Sequence, residues 1–375
     1  MIIVNPQDIT LDAIDKYLEE NPKDAEAWNA KAVMLANQED FGEALRCLDH
    51  ALRLNPKLAG AHTNRGRMLL ALGKDRAADA LQSFKKALKL NPNDTQALAD
   101  MSIALRLLGD LDGEFNTLAS LIKIEPNNAE IWLRLGAVEF KRGRVEKALM
   151  CFDKVLQMDK ESVSALLQRA LVLAKLEQWN DAIKSAKTAT KLDEENVETW
   201  RILGDIYLKA GEHRSAMKSF EKAAKIDPED AYIPIAMGMT AFESNRLNDA
   251  AKHFRRALVR DQNNVTALVN LGLVYMRLEE WESASKTWEH VVGHVKNNPD
   301  IYDAQAAALA HLDDFCGAQD AWESARKLYK KLGDKSNTRR VTELWKAARM
   351  NCSRLKKAIR EQKEIDRLQR RHRGR

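Results

Sequence analysis

Proline and glycine are scarce in this chain, at eight and sixteen among 375 residues. That is low for a protein with many β-turns, which draw on both residues. Aromatic side chains make up 6% of the sequence, too few for a large aromatic core. There are four cysteines, Cys47, Cys151, Cys316 and Cys352, and none is near another in sequence. They form no CxxC or other metal-ligand spacing, so no metal site is expected. They read as free thiols, which points to a reducing compartment. No apolar run approaches the length needed to cross a bilayer. The opening residues Met1–Pro6 lack the basic segment of a signal peptide. The expected location is therefore the cytoplasm. The Gly-rich phosphate loop GxxxxGK, the dinucleotide fingerprint GxGxxG, the nucleophile elbow GxSxG and the zinc motif HExxH are all missing. Nothing else supplies a nucleophile, base or metal in a recognisable arrangement, so neither an enzyme nor a cofactor is expected. His290 and His294 are four apart, but without a third ligand they read as exposed side chains on a helix.

Charge is abundant, at 31% of residues, and unevenly placed. Residues 339–375 hold fourteen Lys and Arg against four Asp and Glu, a net +10 in a chain whose total is +5. The rest of the chain is therefore mildly acidic, at −5. A whole-chain isoelectric point hides this asymmetry. Ala, Leu, Lys, Glu and Arg dominate, a composition that favours helix.

The sequence repeats itself. Pro22, Pro56, Pro92, Pro126, Lys160, Glu194, Pro228 and Gln262 occupy the same place in similar short segments, with a spacing of 34 broken once by 36. A two-residue insertion near Gly73–Asp79 accounts for the exception. Within each unit, apolar residues recur at helical spacing in two runs separated by a short break, as at Arg142-Gly143-Arg144. Numbered from 1 to 34, position 8 is small in every copy, from Ala32 and Gly66 to Gly272 and Ala306. Position 20 is Ala in every copy except Glu114. Large residues such as Phe84, Phe152, Phe220, Phe254, Trp288 and Trp322 fill the intervals, as interdigitated helix packing requires. Position 34 offers a capping side chain before the next helix (Asp24, Asp94, Asn128, Ser162, Asn196, Asp230, Asn264 and Asn298), with Leu58 the exception.

These residues resemble the tetratricopeptide repeat family. The sixth copy carries the pattern well, with Trp200, Leu203, Gly204, Tyr207, Ala216, Phe220, Ala223 and Pro228. The resemblance spans residues 25–332 in nine copies. It implies an all-α fold, an α–α superhelix in which antiparallel helix pairs build a right-handed solenoid. Residues 1–24 then hold an N-terminal capping helix and 333–350 a C-terminal solvating helix, leaving 351–375 as a basic helical tail. Functionally the resemblance implies protein–protein interaction and scaffolding.

In this family the first helix of each pair lines a concave groove, through positions 2, 5, 6, 9, 12 and 13. In the first three copies these are mostly polar or small: Asn29, Asn37, Thr63, Asn64, Arg67, Gln96, Asp100 and Arg106. From the fourth copy on they turn apolar, with Leu133, Phe140, Leu167, Leu171, Ile202, Leu208, Ile235, Met239, Phe242, Val269, Leu273 and Met276. Arg134, Lys141, Lys175, Arg201, Lys209, Asn270 and Arg277 punctuate the strip. An apolar groove with a charged rim in copies four to eight suits a peptide or an amphipathic segment of a protein partner. The alternative is that several of these side chains pack between repeats. The carboxylate clamp of chaperone adaptors is poorly matched. Its positions hold Asn29, Val33, Asn64, Gln96 and Asp100, and only Asn64 agrees, so binding of Hsp70 or Hsp90 tails through that clamp is not expected.

Two departures from regularity remain. Glu114 puts a carboxylate into a tight helix contact, where it must either tilt out to water or push the helices apart. Beyond the last copy, Arg354, Lys356, Lys357, Arg360, Lys363, Arg367, Arg370, Arg371 and Arg373 crowd a helix with a thin apolar stripe. Such a tail suits RNA, a ribosome or an acidic protein surface, which would make the chain a nucleic-acid- or ribosome-associated adaptor. It lacks the aromatics that stack on single-stranded bases. The alternatives are a solvated tail and electrostatic contact of the tail with the acidic body.

Overall fold

The computed structural model describes residues 10–373, and within 368–373 only the backbone. The side chains of Arg370, Arg371 and Arg373, and residues 1–9 of the expected N-terminal cap, lie outside the described residues. Among the described residues there are twenty α-helices, one short 3-10 helix and no strand. The chain divides into two compact units, Met1–Asp193 and Glu194–Arg375.

The first unit begins with α1 (Leu11–Glu20). Five helix pairs follow: α2 (Ala25–Asn37) with α3 (Phe41–Leu54), α4 (Ala59–Leu72) with α5 (Ala77–Leu90), α6 (Thr95–Leu107) with α7 (Leu111–Ile124), α8 (Ala129–Lys141) with α9 (Val145–Met158), and α10 (Val163–Lys175) with α11 (Trp179–Leu192). The second unit holds four more: α12 (Val197–Lys209) with α13 (His213–Ile226), α14 (Tyr232–Glu243) with α15 (Leu247–Arg260), α16 (Val265–Arg277) with α17 (Trp281–His294), and α18 (Pro299–His311) with α19 (Phe315–Lys331). It closes with a single long helix, α20 (Lys335–Arg373). The all-α fold of stacked antiparallel pairs is the one the repeat pattern predicts.

The local chemistry follows the repeat. Asp24, Asp94, Asn128, Ser162, Asn196, Asn264 and Asn298 each accept a hydrogen bond from an amide of the first turn they precede. These bonds satisfy donors that have no partner inside the helix. Leu58 makes no side-chain cap, as its apolar chain dictates. Position 15, between the two helices of a pair, takes a left-handed backbone: Gly109, Gly143 and Gly211, but also Glu39, Glu177, Asn245, Glu279 and Asp313, all at φ between 56° and 78°. Position 4 closes the turn from the other side. The indole N–H of Trp28, Trp132 and Trp200 donates to the carbonyl of Pro22, Pro126 and Glu194, at 2.8–3.0 Å.

The small residue at position 8 meets the large one at position 24. A Cβ added to Gly136, Gly204 or Gly238 would lie 2.6 Å from the ring of Phe152, Phe220 or Phe254. Where position 24 shrinks to Ala186, position 8 carries a methyl, Ala170, and both are buried. A second device lies outside the family pattern. Arg65 bonds Asp49 of the preceding pair and Ser83 of its own, and Arg169 does the same with Asp153 and Ser185.

Three expectations need correction. Cys316 and Cys352 are not free thiols: they form a disulfide between α19 and α20. Their separation of 36 residues looked unremarkable in sequence, but an antiparallel helix hairpin folds those two positions together. Cys47 and Cys151 are free and buried, and burial raises both thiols, Cys151 to about 11. The cysteine argument for a reducing compartment therefore falls away. Secondly, of the two alternatives for Glu114 the tilt out to water is not taken: it is buried, and its Oε2 has no hydrogen-bond partner among the described residues. Thirdly, the solvating helix and the basic tail are not separate elements. One helix runs through residue 350 without a break.

Candidate partner-binding faces

The first helices of successive pairs touch one another within each unit, α8 with α10 and α12 with α14 with α16. Side chains wedged between them are lost to a partner. Leu167 and Ile235, both at position 5, are only 7% and 8% exposed and belong to this packing rather than to a groove. Positions 9, 12 and 13 stand further out. Met239 and Leu273 occupy position 9 of successive pairs and are each 40% exposed. Leu208, Phe242 and Met276 lie half-buried beside them, as does Ile202. In the first unit Leu133, Phe140 and Leu171 are half-buried, with Lys141 and Lys175 exposed at their edge.

Two clefts open on this face of the second unit. One, of about 570 Å³, lies between α12 and α14 and is lined by Leu208, Lys209, Ala236, Met239 and Glu243, with Asp205 and Tyr232 at one end. The other, of about 450 Å³, is lined by Leu273 and Met276 of α16, Ala304 and Ala307 of α18, and Leu344 of α20.

Most charges around the clefts are already paired. The Tyr232 hydroxyl donates to Asp205 at 2.5 Å. Burial pushes the Asp205 carboxyl above its usual range and the Tyr232 phenol further above its own. Arg201 lies 4.4 Å over the Tyr232 ring and donates to Asp230 at 3.1 Å. It is therefore a structural clasp and not a free cation. Asn270 lies back along its own helix and donates to the carbonyl of Thr266. Arg277 stacks 4.8 Å over Phe242. In the second cleft, Asp303 accepts from Arg340 and from the Trp322 indole, and Asp300 accepts from Tyr329. The hydrogen bond to Asp303 holds the Arg340 guanidinium above its ordinary value. What the clefts offer is therefore mainly aliphatic and thioether surface, with Lys209, His213 and Glu243 also lining the first and His311 the second. Methionines suit such a role because their flexible, polarisable chains re-pack around different apolar groups.

The corresponding face of the first three pairs is mostly polar, with several of its side chains paired to one another, though Val33 and Leu107 are exposed among them. Asn64 donates to Asn29 at 2.9 Å, Thr63 to Asp94 at 2.9 Å, and Gln96 to Asp100 at 2.9 Å. Arg67 lies 3.6 Å from Asp100, and Arg134 reaches back to Ser102. Asp100 sits where a carboxylate clamp needs a cation, and burial raises its carboxyl above the usual range. His290 bonds Asn263 at 3.1 Å. No group of three or more metal-ligating side chains occurs among the described residues, and no described helix is long and apolar enough to cross a membrane.

Residues 25–58 match the tetratricopeptide repeat family. Residues 118–227 match the middle TPR-like domain of cilia and flagella-associated protein 70, and residues 185–302 the TPR domain of cytochrome c-type biogenesis protein H. The chain is a tetratricopeptide-repeat protein. Among its relatives, the DnaJ homolog subfamily C member 7 homolog of Schizosaccharomyces pombe is 26% identical, over 48% of this chain and 41% of its own length. Anaphase-promoting complex subunit 3 of the same organism is 26% identical, over 44% of this chain and 25% of its own. The chain thus spans less than half the length of these relatives. Yeast Tom70 shares the fold at a TM-score of 0.52 and 15% identity, covering 92% of this chain and 85% of its own. The architecture is that of a TPR-type interaction scaffold, and on the first helices of its second unit Met239 and Leu273 are the most exposed apolar side chains.

Proposed function

We propose that this tetratricopeptide-repeat protein is a non-enzymatic scaffold. Its second unit receives an amphipathic segment of a protein partner across the first-helix face. The observation that carries the reading is the repetition of an open apolar side chain at position 9, Met239 and then Leu273, each beside a cleft. A helix that offers apolar residues along one stripe fits such a row. The Leu133, Phe140 and Leu171 patch extends the same chemistry within the first unit. The relatives favour the reading in a general way, since one of them is by name a subunit of a multiprotein complex.

The test is Met239→Glu combined with Leu273→Glu in the full chain. Both side chains are open enough for the fold to survive, which circular dichroism checks. Proteins retained by the wild-type chain from a cell extract should fall about tenfold or more, the scale expected when apolar anchors are lost. Unchanged retention by a folded double variant overturns the proposal.

A further inference from the structure

The strongest feature the groove does not use is the far half of α20. Its near half packs on α19 through Val341, Trp345, Ala348 and Cys352. These positions follow the alternating four-and-three spacing of a helix seam. The same register continues to Leu355 and Ile359, where no helix covers it: they are 43% and 46% exposed, and every described side chain from Ser353 to Arg367 is exposed. The overhang of residues 353–373 is about 30 Å of helix at 1.5 Å per residue. It exceeds the fourteen residues of α13, α15 or α17. The disulfide sits where the overhang leaves α19, so the root of the overhang is fixed covalently.

We propose that this overhang is a docking post for an acidic amphipathic helix of a partner protein, which takes the place that α19 takes on the near half. This goes beyond the groove reading and uses none of its residues. Charge decides the occupant. Lys356 and Lys363 flank the seam on one edge, and residues 353–375 carry ten Lys and Arg against three Asp and Glu. A second copy of the same helix would bring an equal charge of +7 against it, which opposes self-pairing. A partner with glutamates beside its own apolar stripe complements both the seam and the flank. The seam also favours protein over RNA: Leu355 and Ile359 would be idle against phosphates, and residues 353–375 contain no Phe, Tyr or Trp to stack on a base.

The probe is a fluorescein-labelled 21-residue helix, sized from the overhang at 1.5 Å per residue, with Leu at the seam positions and Glu at the flanks. It is titrated against the full chain. A scrambled peptide of the same composition, single-stranded and duplex RNA, and sedimentation of the chain alone run beside it. The heptad peptide should bind saturably and better than the scrambled one. Leu355→Asp with Ile359→Asp should weaken it about tenfold or more. Lys356→Glu with Lys363→Glu should shift preference to a Lys-flanked peptide. The proposal is overturned by equal binding of the scrambled peptide or by indifference to the Leu355 and Ile359 substitutions. It is equally overturned by tighter binding of RNA, or by self-association that those substitutions abolish.

Discussion

Glu114 occupies the position that is alanine in the other copies, and its carboxyl stays inside the protein. Burial raises it above its ordinary value, against the opposing pull of Arg106, Arg134 and Lys141. A carboxyl raised in the folded state is penalised in its ionised form. The penalty is complete above the folded value and absent below the unfolded one. Glu114→Gln should therefore raise the melting temperature at neutral pH. That gain should shrink as pH falls through the carboxylate range, because the wild-type group then takes up its proton. Thermal melts of both proteins across that range check this, and a pH-independent difference would count against it. The sequence marked Glu114 as irregular but not where its side chain goes, since that depends on room left by neighbouring helices. The same limit applies at position 5. Leu167 and Ile235 look like groove residues by repeat number, yet the approach of successive first helices buries them. The caps at position 34 were legible because they involve only side chains and amides two or three residues apart. The left-handed turn at position 15 was not, because Glu39, Glu177 and Glu279 hide it under an ordinary residue type.

At the scale of elements, the last pair is the unusual one. Beyond the Val341 and Ala348 packing, α20 is fastened by the disulfide to α19, the Arg340–Asp303 bond to α18, and Arg326 of α19 lying over the Trp345 ring. Cys316→Ser with Cys352→Ser should lower the stability of this region by about 2–4 kcal/mol, the usual range for removing such a cross-link. Denaturant unfolding with and without a reducing agent measures it. Equal stability under both conditions would show that packing alone holds the helix. The pairing escaped the sequence because its two cysteines are a full helix hairpin apart, and only the lengths of α19 and α20 bring them level. The continuity of α20 escaped for a related reason: no Gly or Pro marks residue 350 as an end or as a bridge.

For the whole molecule, charge and stability are carried by different stretches of chain. The described side chains beyond Cys352 are exposed, so removing residues 353–375 should leave the melting temperature nearly unchanged, as for other surface changes (within about 0.5 kcal/mol). The same deletion turns a net charge of +5 into −2. The truncated chain should therefore move from cation- to anion-exchange retention near neutral pH while melting as before. A marked drop in melting temperature would mean that the overhang supports the body. The repeat period, the small and large residues and the caps made the fold readable, because each recurs and each act is local. The faces that meet partners were only half readable, because exposure is decided between helices.

Stacked helix pairs that lean on their neighbours usually come apart by fraying from an end. At the C-terminal end of the second unit that route is closed one helix at a time. With Cys316 joined to Cys352, α20 cannot peel away without drawing α19 with it. The first step of opening there therefore takes α19 and α20 together, and it also breaks the bond of Arg340 to Asp303 of α18. Reduction would divide it into smaller ones. The redox state of one bond therefore sets how large a piece of the array opens at once.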